Sequence, residues 1–269
     1  MNPSDSDFFG WVLLLLNKYG TIFLHGAEST IILALVGTLI GCIIGILVGV
    51  LRTIPVGTNA NPVVKILNRI MQFILAAYIE IFRGTPMIVQ AMVVYYGSMQ
   101  LFKLDMSPMT AGFLVVSINT GAYMAETVRG GIDSISIGQT EAAKAIGMTH
   151  WQTMVSVIMP QTIRNILPQI GNNLIINIKD TSVLNVISVT ELYFSGNSAA
   201  GAYLRYFEVF FIISVIYFIM TFTCSRLLRW LEHKIDGSSY YSLVKSDMMA
   251  DPCGHNPVKA QGGHGTWKK

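Results

Sequence analysis

Charge is scarce in this chain. Only 12% of its 269 residues are Asp, Glu, Lys or Arg, against 52% that are hydrophobic, and the mean hydropathy is +0.53. A soluble domain is usually about a quarter charged, so the composition excludes an ordinary soluble enzyme and indicates a polytopic, all-helical membrane protein. Cysteine is also sparse. Cys42, Cys224 and Cys253 are odd in number and far apart, which excludes a disulfide framework and any paired zinc spacing. The five histidines, His25, His150, His233, His255 and His264, do not cluster, so no metal is expected. No G-x-x-x-x-G-K-[ST] phosphate loop occurs, nor a G-x-S-x-G or H-E-x-x-H motif. The chain is therefore not expected to be an enzyme or to hydrolyse ATP by itself. The net charge of +3 gathers on no basic face, which excludes nucleic acid as a partner.

What is present is a series of apolar runs. A hydrocarbon core of about 30 Å needs about 20 helical residues. Ile31 to Leu51, Met109 to Ala125, Ile163 to Ile178 and Phe207 to Leu228 satisfy that requirement. Val64 to Leu101 would be roughly 57 Å of unbroken helix, and Arg83-Gly84-Thr85-Pro86 interrupts it. Phe8 to Leu16 reads as a helix lying in the interface, preceded by a start without the basic residues of a cleavable signal peptide.

Arg52, Lys65, Arg69, Arg129, Lys144, Arg164, Arg226, Arg229 and Lys234 fall on one side of these runs. Lys18, Lys103 and Arg205 fall on the other. By the positive-inside rule this asymmetry predicts five spans with the N-terminus outside and the C-terminus cytoplasmic. The organisation expected is an external or interfacial segment over 1–27, a membrane domain over 28–235, and a flexible cytoplasmic tail over 236–269. In the first span Gly37, Gly41, Gly45 and Gly49 recur every four residues, a groove in which a second helix can approach closely.

Polar residues inside spans mark either internal pairing or a solute path, because charge in hydrocarbon costs several kcal/mol. Glu80 and Arg83 flank the break, with Gln90 beyond it. Asn119 and Glu126 lie in the third span, and Asn172, Asn173, Asn177, Lys179 and Asp180 in the fourth. Glu80 and Arg83, three apart on a helix, are placed to neutralise each other; taken together, so many polar groups at similar depth predict a hydrated amphoteric passage. A zwitterionic amino acid suits it, with Arg83 for the carboxylate and Glu80 or Asp180 for the ammonium.

Between the third and fourth spans the pattern changes to that of short soluble helices. Ser136 with Gln139 reads as a capping box, Ala142, Ala143 and Ala145 favour helix, and Gly147 is a left-handed C-cap. Thr149 with Gln152 reads as a second capping box, opening a helix that Pro160 is expected to stop. The product is a sharp corner over about 136–159 at the cytoplasmic face, either a plain interhelical loop or a docking site.

These residues resemble the membrane subunit of ATP-binding-cassette importers of the polar amino-acid uptake family. That family's cytoplasmic signature is Glu-Ala-Ala, three residues, Gly, nine residues, Ile, one residue, Leu-Pro. Here it is Glu141-Ala142-Ala143, Gly147, Val157 and Met159-Pro160, with Val157 and Met159 as conservative departures. The amino-acid branch is further resembled by Glu80-Ile-Phe-Arg83-Gly84-Thr85-Pro86 with Val89-Gln90, by Gly121-Ala-Tyr-Met-Ala-Glu126 through Gly131, and by Lys179-Asp180-Thr181-Ser182. The resemblance implies the type I importer permease fold, in a cell membrane. It implies that Glu141, Ala142, Ala143, Gly147 and Pro160 belong to a coupling helix seated on a separate ATPase subunit, which binds the ATP. It also implies a second permease copy, identical or related, and an external solute-binding protein. Glutamine or glutamate is the cargo expected from the mixed charge, with cystine, histidine and arginine as alternatives. A secondary transporter driven by an ion gradient is the competing class, although no inverted repeat is visible.

Overall fold

The computed structural model describes residues 7–54 and 61–236; the expectation for the 236–269 tail falls almost wholly outside them. The described residues are helical, with no strand among them: α1 Phe8–Thr53, α2 Pro62–Gly84, α3 Met87–Phe102, α4 Pro108–Asp133, α5 Ile137–Ala145, α6 His150–Thr153, α7 Met159–Asp180, α8 Leu192–Tyr203 and α9 Tyr206–Asp236. A π-helical turn, Met154–Ile158, joins α6 to α7, and a 3₁₀ segment, Thr181–Ile187, follows α7. Among the described residues α1, α2 and the Tyr206–Lys234 part of α9 are long and apolar enough to cross a membrane. α4 and α7 have the length, at 26 and 22 residues, but carry the polar groups of the site.

The first departure from expectation is α1. Its 46 residues form one helix of about 69 Å, so the interface helix expected at Phe8 to Leu16 is the first part of α1, and the 27/28 boundary falls inside it. No proline interrupts the run, Asp7 Oδ1 accepts the Gly10 amide at 2.9 Å as N-cap, and tertiary burial extends the helix. Leu15, Phe23 and Ala27 pack in one core with Leu192 and Ala199 of α8 and with Val209, Ile212 and Ile213 of α9. At its N-terminal end Phe8 meets Phe207 and Phe211 with ring centroids 5.5 and 5.4 Å away.

The glycine groove of α1 holds α4. A Cβ on Gly37, Gly41, Gly45 or Gly49 would lie 2.4, 2.6, 2.3 or 2.7 Å from Val116, Thr120, Met124 or Val128 respectively. Both series advance by four, so α1 and α4 run parallel with their backbones in close approach. α7 runs the other way: Thr162 and Ile166 lie against Gly131, Asn173 against Met124 and Asn177 against Thr120. α2 also opposes α1, since Gln72 reaches the Leu51 carbonyl while Tyr78 reaches Ile118 and lies near Gly121, itself against Ile44.

Pro160 does not stop the helix that begins at His150. A regular α-helix would drive its ring into the carbonyl of Ser156. The wider π turn accommodates it, with the Met159 amide donating to the Met154 carbonyl, so that helical structure is continuous from His150 to Asp180. The capping box at Ser136 is also absent, because the Ser136 side chain accepts no amide. The box at Thr149 forms in full: Gln152 N donates to Thr149 Oγ1 at 3.3 Å, and Thr149 N to Gln152 Oε1 at 2.8 Å.

Candidate functional site

The corner is built by α5 ending at Gly147. Gly147 has φ of 85°; its amide donates to the Lys144 carbonyl and the Met148 amide to the Ala143 carbonyl, both at 3.0 Å, which is a Schellman close. Glu141, Ala142, Gly147 and Pro160 are exposed, and Ala143 is the one buried position of α5. Beside them Ile137, Ile146 and Trp151 are 74%, 79% and 64% exposed. Three large apolar side chains around a rigid turn form a surface suited to a protein partner.

The second region is a cleft of about 410 Å³ whose wall includes Thr85, Pro86, Asn119, Tyr123, Asn173 and Asp180. Pro86 makes it. With no amide at Pro86, the Phe82 carbonyl loses its helical donor, and the Thr85 carbonyl is freed as well. Gln90 Nε2 donates to both at 2.9 Å, and Asn119 Nδ2 donates to Phe82 O at 3.2 Å and to Gln90 Oε1 at 3.0 Å. Gln90 therefore holds the break open from behind the wall. Gln90→Leu leaves these acceptors short of donors and is expected to cost about 2 kcal/mol, read as earlier thermal unfolding in detergent; an unchanged transition would show that water supplies the bonds.

The sequence-predicted residues separate on this geometry. Asn119, Asn177 and Asp180 line the cleft. Asn177 is also a bolt between three helices, its amide donating to Thr38 Oγ1 at 2.8 Å and Thr120 Oγ1 at 2.9 Å. Arg83 does not pair with Glu80; its guanidinium lies 5.6 Å from the ring centre of Tyr123, which lines the cleft, and Glu80 is exposed on α2. Lys179 is exposed outside the wall.

Glu126 sits apart from the cleft. It pairs with Arg52 of α1 at 3.4 Å and with Arg129, whose other branch meets Asp133 at 2.8 Å. This ties the ends of α1 and α4 together.

Tyr123, Gln169 and Thr120 also line the cleft and were not anticipated. Spacing was the available signal: Tyr123 is four after Asn119, and Gln169, Asn173, Asn177 and Asp180 follow one another by four, four and three, on one face of α7. Glu191 was missed too. It is fully buried at the start of α8, accepting the amides of Tyr193 and Phe194 at 2.8 and 2.7 Å and the Tyr217 hydroxyl at 2.9 Å.

Residues 62–237 match the family model for the binding-protein-dependent transport system inner membrane component. The glutamine transport system permease protein of Escherichia coli is 40% identical over 167 residues, which are 62% of this chain and 76% of that one. The nopaline transport system permease protein of Agrobacterium fabrum is 36% identical over 174 residues, covering 61% and 72%. A crystal structure of an amino acid ABC transporter with histidines superposes with a TM-score of 0.73 at 35% identity, over 85% of this chain and 99% of that one. The corner, the polar cleft and these likenesses agree: the chain belongs to the binding-protein-dependent inner membrane components, as a membrane permease of the amino-acid ATP-binding-cassette importers.

Proposed function

We propose that the chain carries a polar amino acid, glutamine or glutamate first, inward through the cleft beside Pro86, driven by a separate ATPase seated on the Glu141–Pro160 corner. The observation that carries this is the pairing of an uncovered apolar corner with a helical run, His150 to Asp180, that leads from it to the cleft. The path is completed by a second permease copy and loaded by an external solute-binding protein. Five crossings with the N-terminus outside fit the directions of the helices. α1, α4 and α9 descend; the broken pair α2–α3 and α7 return. Glutamine is favoured by the identity to the E. coli relative together with a wall that mixes amides, Asp180 and the neighbouring Arg83.

The test is uptake of labelled glutamine by the permease reconstituted with its ATPase and binding protein. Uptake is expected only with internal ATP. Uptake without ATP that follows an ion gradient would replace this reading with a secondary transporter. Within the same assay Asp180→Asn and Arg83→Ala are each expected to lower uptake about tenfold, the equivalent of about 1.4 kcal/mol. Unaltered rate and substrate preference in Arg83→Ala would make that residue structural.

A further inference from the structure

The polar residues of α2 lie on one line. At 3.6 residues per turn Lys65, Asn68, Arg69, Gln72, Glu80 and Arg83 fall within about 120° of the circumference, with small Ala76 filling the gap. The opposite side is apolar and open, with Leu67, Ile70 and Ile74 all exposed; Ile79, the only buried residue of the helix, lies on the polar side. The line spans about 27 Å from Lys65 to Arg83. Its upper end is Arg83 against Tyr123 of the cleft wall, and lower down Gln72 donates to the Leu51 carbonyl near the end of α1. An open surface groove of about 530 Å³ runs along Lys65, Ile66, Asn68, Arg69 and Gln72. On a helix long and apolar enough to cross a membrane, each charge held in hydrocarbon would cost several kcal/mol. The arrangement suits two solvents, lipid against Leu67 and Ile74 and water against Asn68 and Ala76.

We infer that this line is the cytoplasmic half of the solute path, and that its three cations, Lys65, Arg69 and Arg83, guide the carboxylate of a free amino acid from the cleft to the cell interior. The inference rests on the permease reading above. It assigns to Asn68, Arg69 and Gln72 a contact with moving solute, and its chemistry favours cargo with an unblocked carboxylate, since α2 itself carries three cations on this line against one carboxylate, Glu80.

The test uses the reconstituted complex with Cys42, Cys224 and Cys253 changed to serine. Single cysteines are placed on the line, Asn68→Cys and Ala76→Cys, and opposite it, Leu67→Cys and Ile74→Cys. A membrane-impermeant, negatively charged methanethiosulfonate is added from the cytoplasmic side, and the labelling rate is measured. Thiolate is the reacting form and does not persist in lipid, so positions 68 and 76 are expected to react at least tenfold faster than 67 and 74. Bare exposure of the protomer gives the reverse order, because Leu67 and Ile74 are 66% and 59% exposed while Asn68 and Ala76 are half-buried. Equal or reversed rates overturn the inference. So does labelling at 68 that is fast in phosphatidylcholine vesicles and slow in vesicles containing phosphatidylglycerol, the result for a site filled by anionic lipid. Arg69→Glu is expected to lower amino-acid uptake about tenfold with ATP hydrolysis retained; unchanged uptake would remove the guidance of carboxylate. If the unaltered complex shows no stimulated hydrolysis, the permease reading fails, and the labelling order still reports which face of α2 is wet.

Discussion

Gly147→Val is expected to abolish stimulation of ATP hydrolysis by the assembled transporter while leaving the protein folded and inserted. A Cβ at Gly147 meets nothing within 4 Å, so no clash arises; the penalty is the backbone itself, held at φ 85°. A β-branched residue there costs on the order of 1–3 kcal/mol, and the strain is relieved by releasing the two bonds that close α5, Gly147 to Lys144 and Met148 to Ala143. Relief at that point swings Ile146 and Trp151 away from their common surface. The helices on either side, α4 ending at Asp133 and α7 beginning at Met159, keep their own contacts. Gly147→Asn separates shape from residue identity, because asparagine tolerates the left-handed region, and it is expected to retain most of the stimulation. Full stimulation in the valine variant would show that the corner's shape is not what the ATPase reads.

Gly45→Val is expected to have the opposite profile, with little or no stable protein recovered. Its Cβ would lie 2.3 Å from Met124 Cβ and 2.9 Å from the Ala125 amide nitrogen. Backbone cannot step aside as a flexible side chain does, so α1 and α4 must separate along their most extensive contact. Overpacking typically costs about 1–3 kcal/mol, and opening the whole seam adds to it. Gly20→Val supplies the control: nothing lies within 4 Å of its Cβ, so only the small helix-propensity change remains. Thermal unfolding in detergent, followed by size-exclusion profile, compares the two. Equal stability would mean that α1 and α4 are not held by the glycine seam.

The seam was legible in the sequence because four glycines at four-residue spacing leave one physical use, close approach of a second helix. Which helix fills it was not, since partner choice depends on shapes brought together only by the fold. The corner was legible for a similar reason: Gly147 after Ala142, Ala143 and Ala145, and Thr149 with Gln152, are local signals acting over three or four residues. Pro160 misled because local rules describe an α-helix, and the five-residue π turn before it is a tertiary accommodation.

The cleft was half legible. Pro86 announced the break and Asn119, Asn177 and Asp180 line it, yet Gln90 turned out to bond the broken backbone and Glu126 to fasten α1 to α4. Charge and polarity along a chain identify groups that must be satisfied; they do not distinguish satisfaction by solute from satisfaction by a neighbouring carbonyl or guanidinium.

The uninterrupted helical run from His150 to Asp180 has a mechanical consequence. Thirty-one residues make a rod about 46 Å long, fixed to the corner at one end and carrying Asp180 in the cleft wall at the other. A tilt of about 5° pivoting at the corner displaces Asp180 by about 4 Å, comparable with the width of an amino acid. Pro168, the proline beyond the first turn of α7, sets where the part of the rod above Pro160 bends first. A small angular change imposed at the corner thus becomes a displacement of molecular size at the cleft.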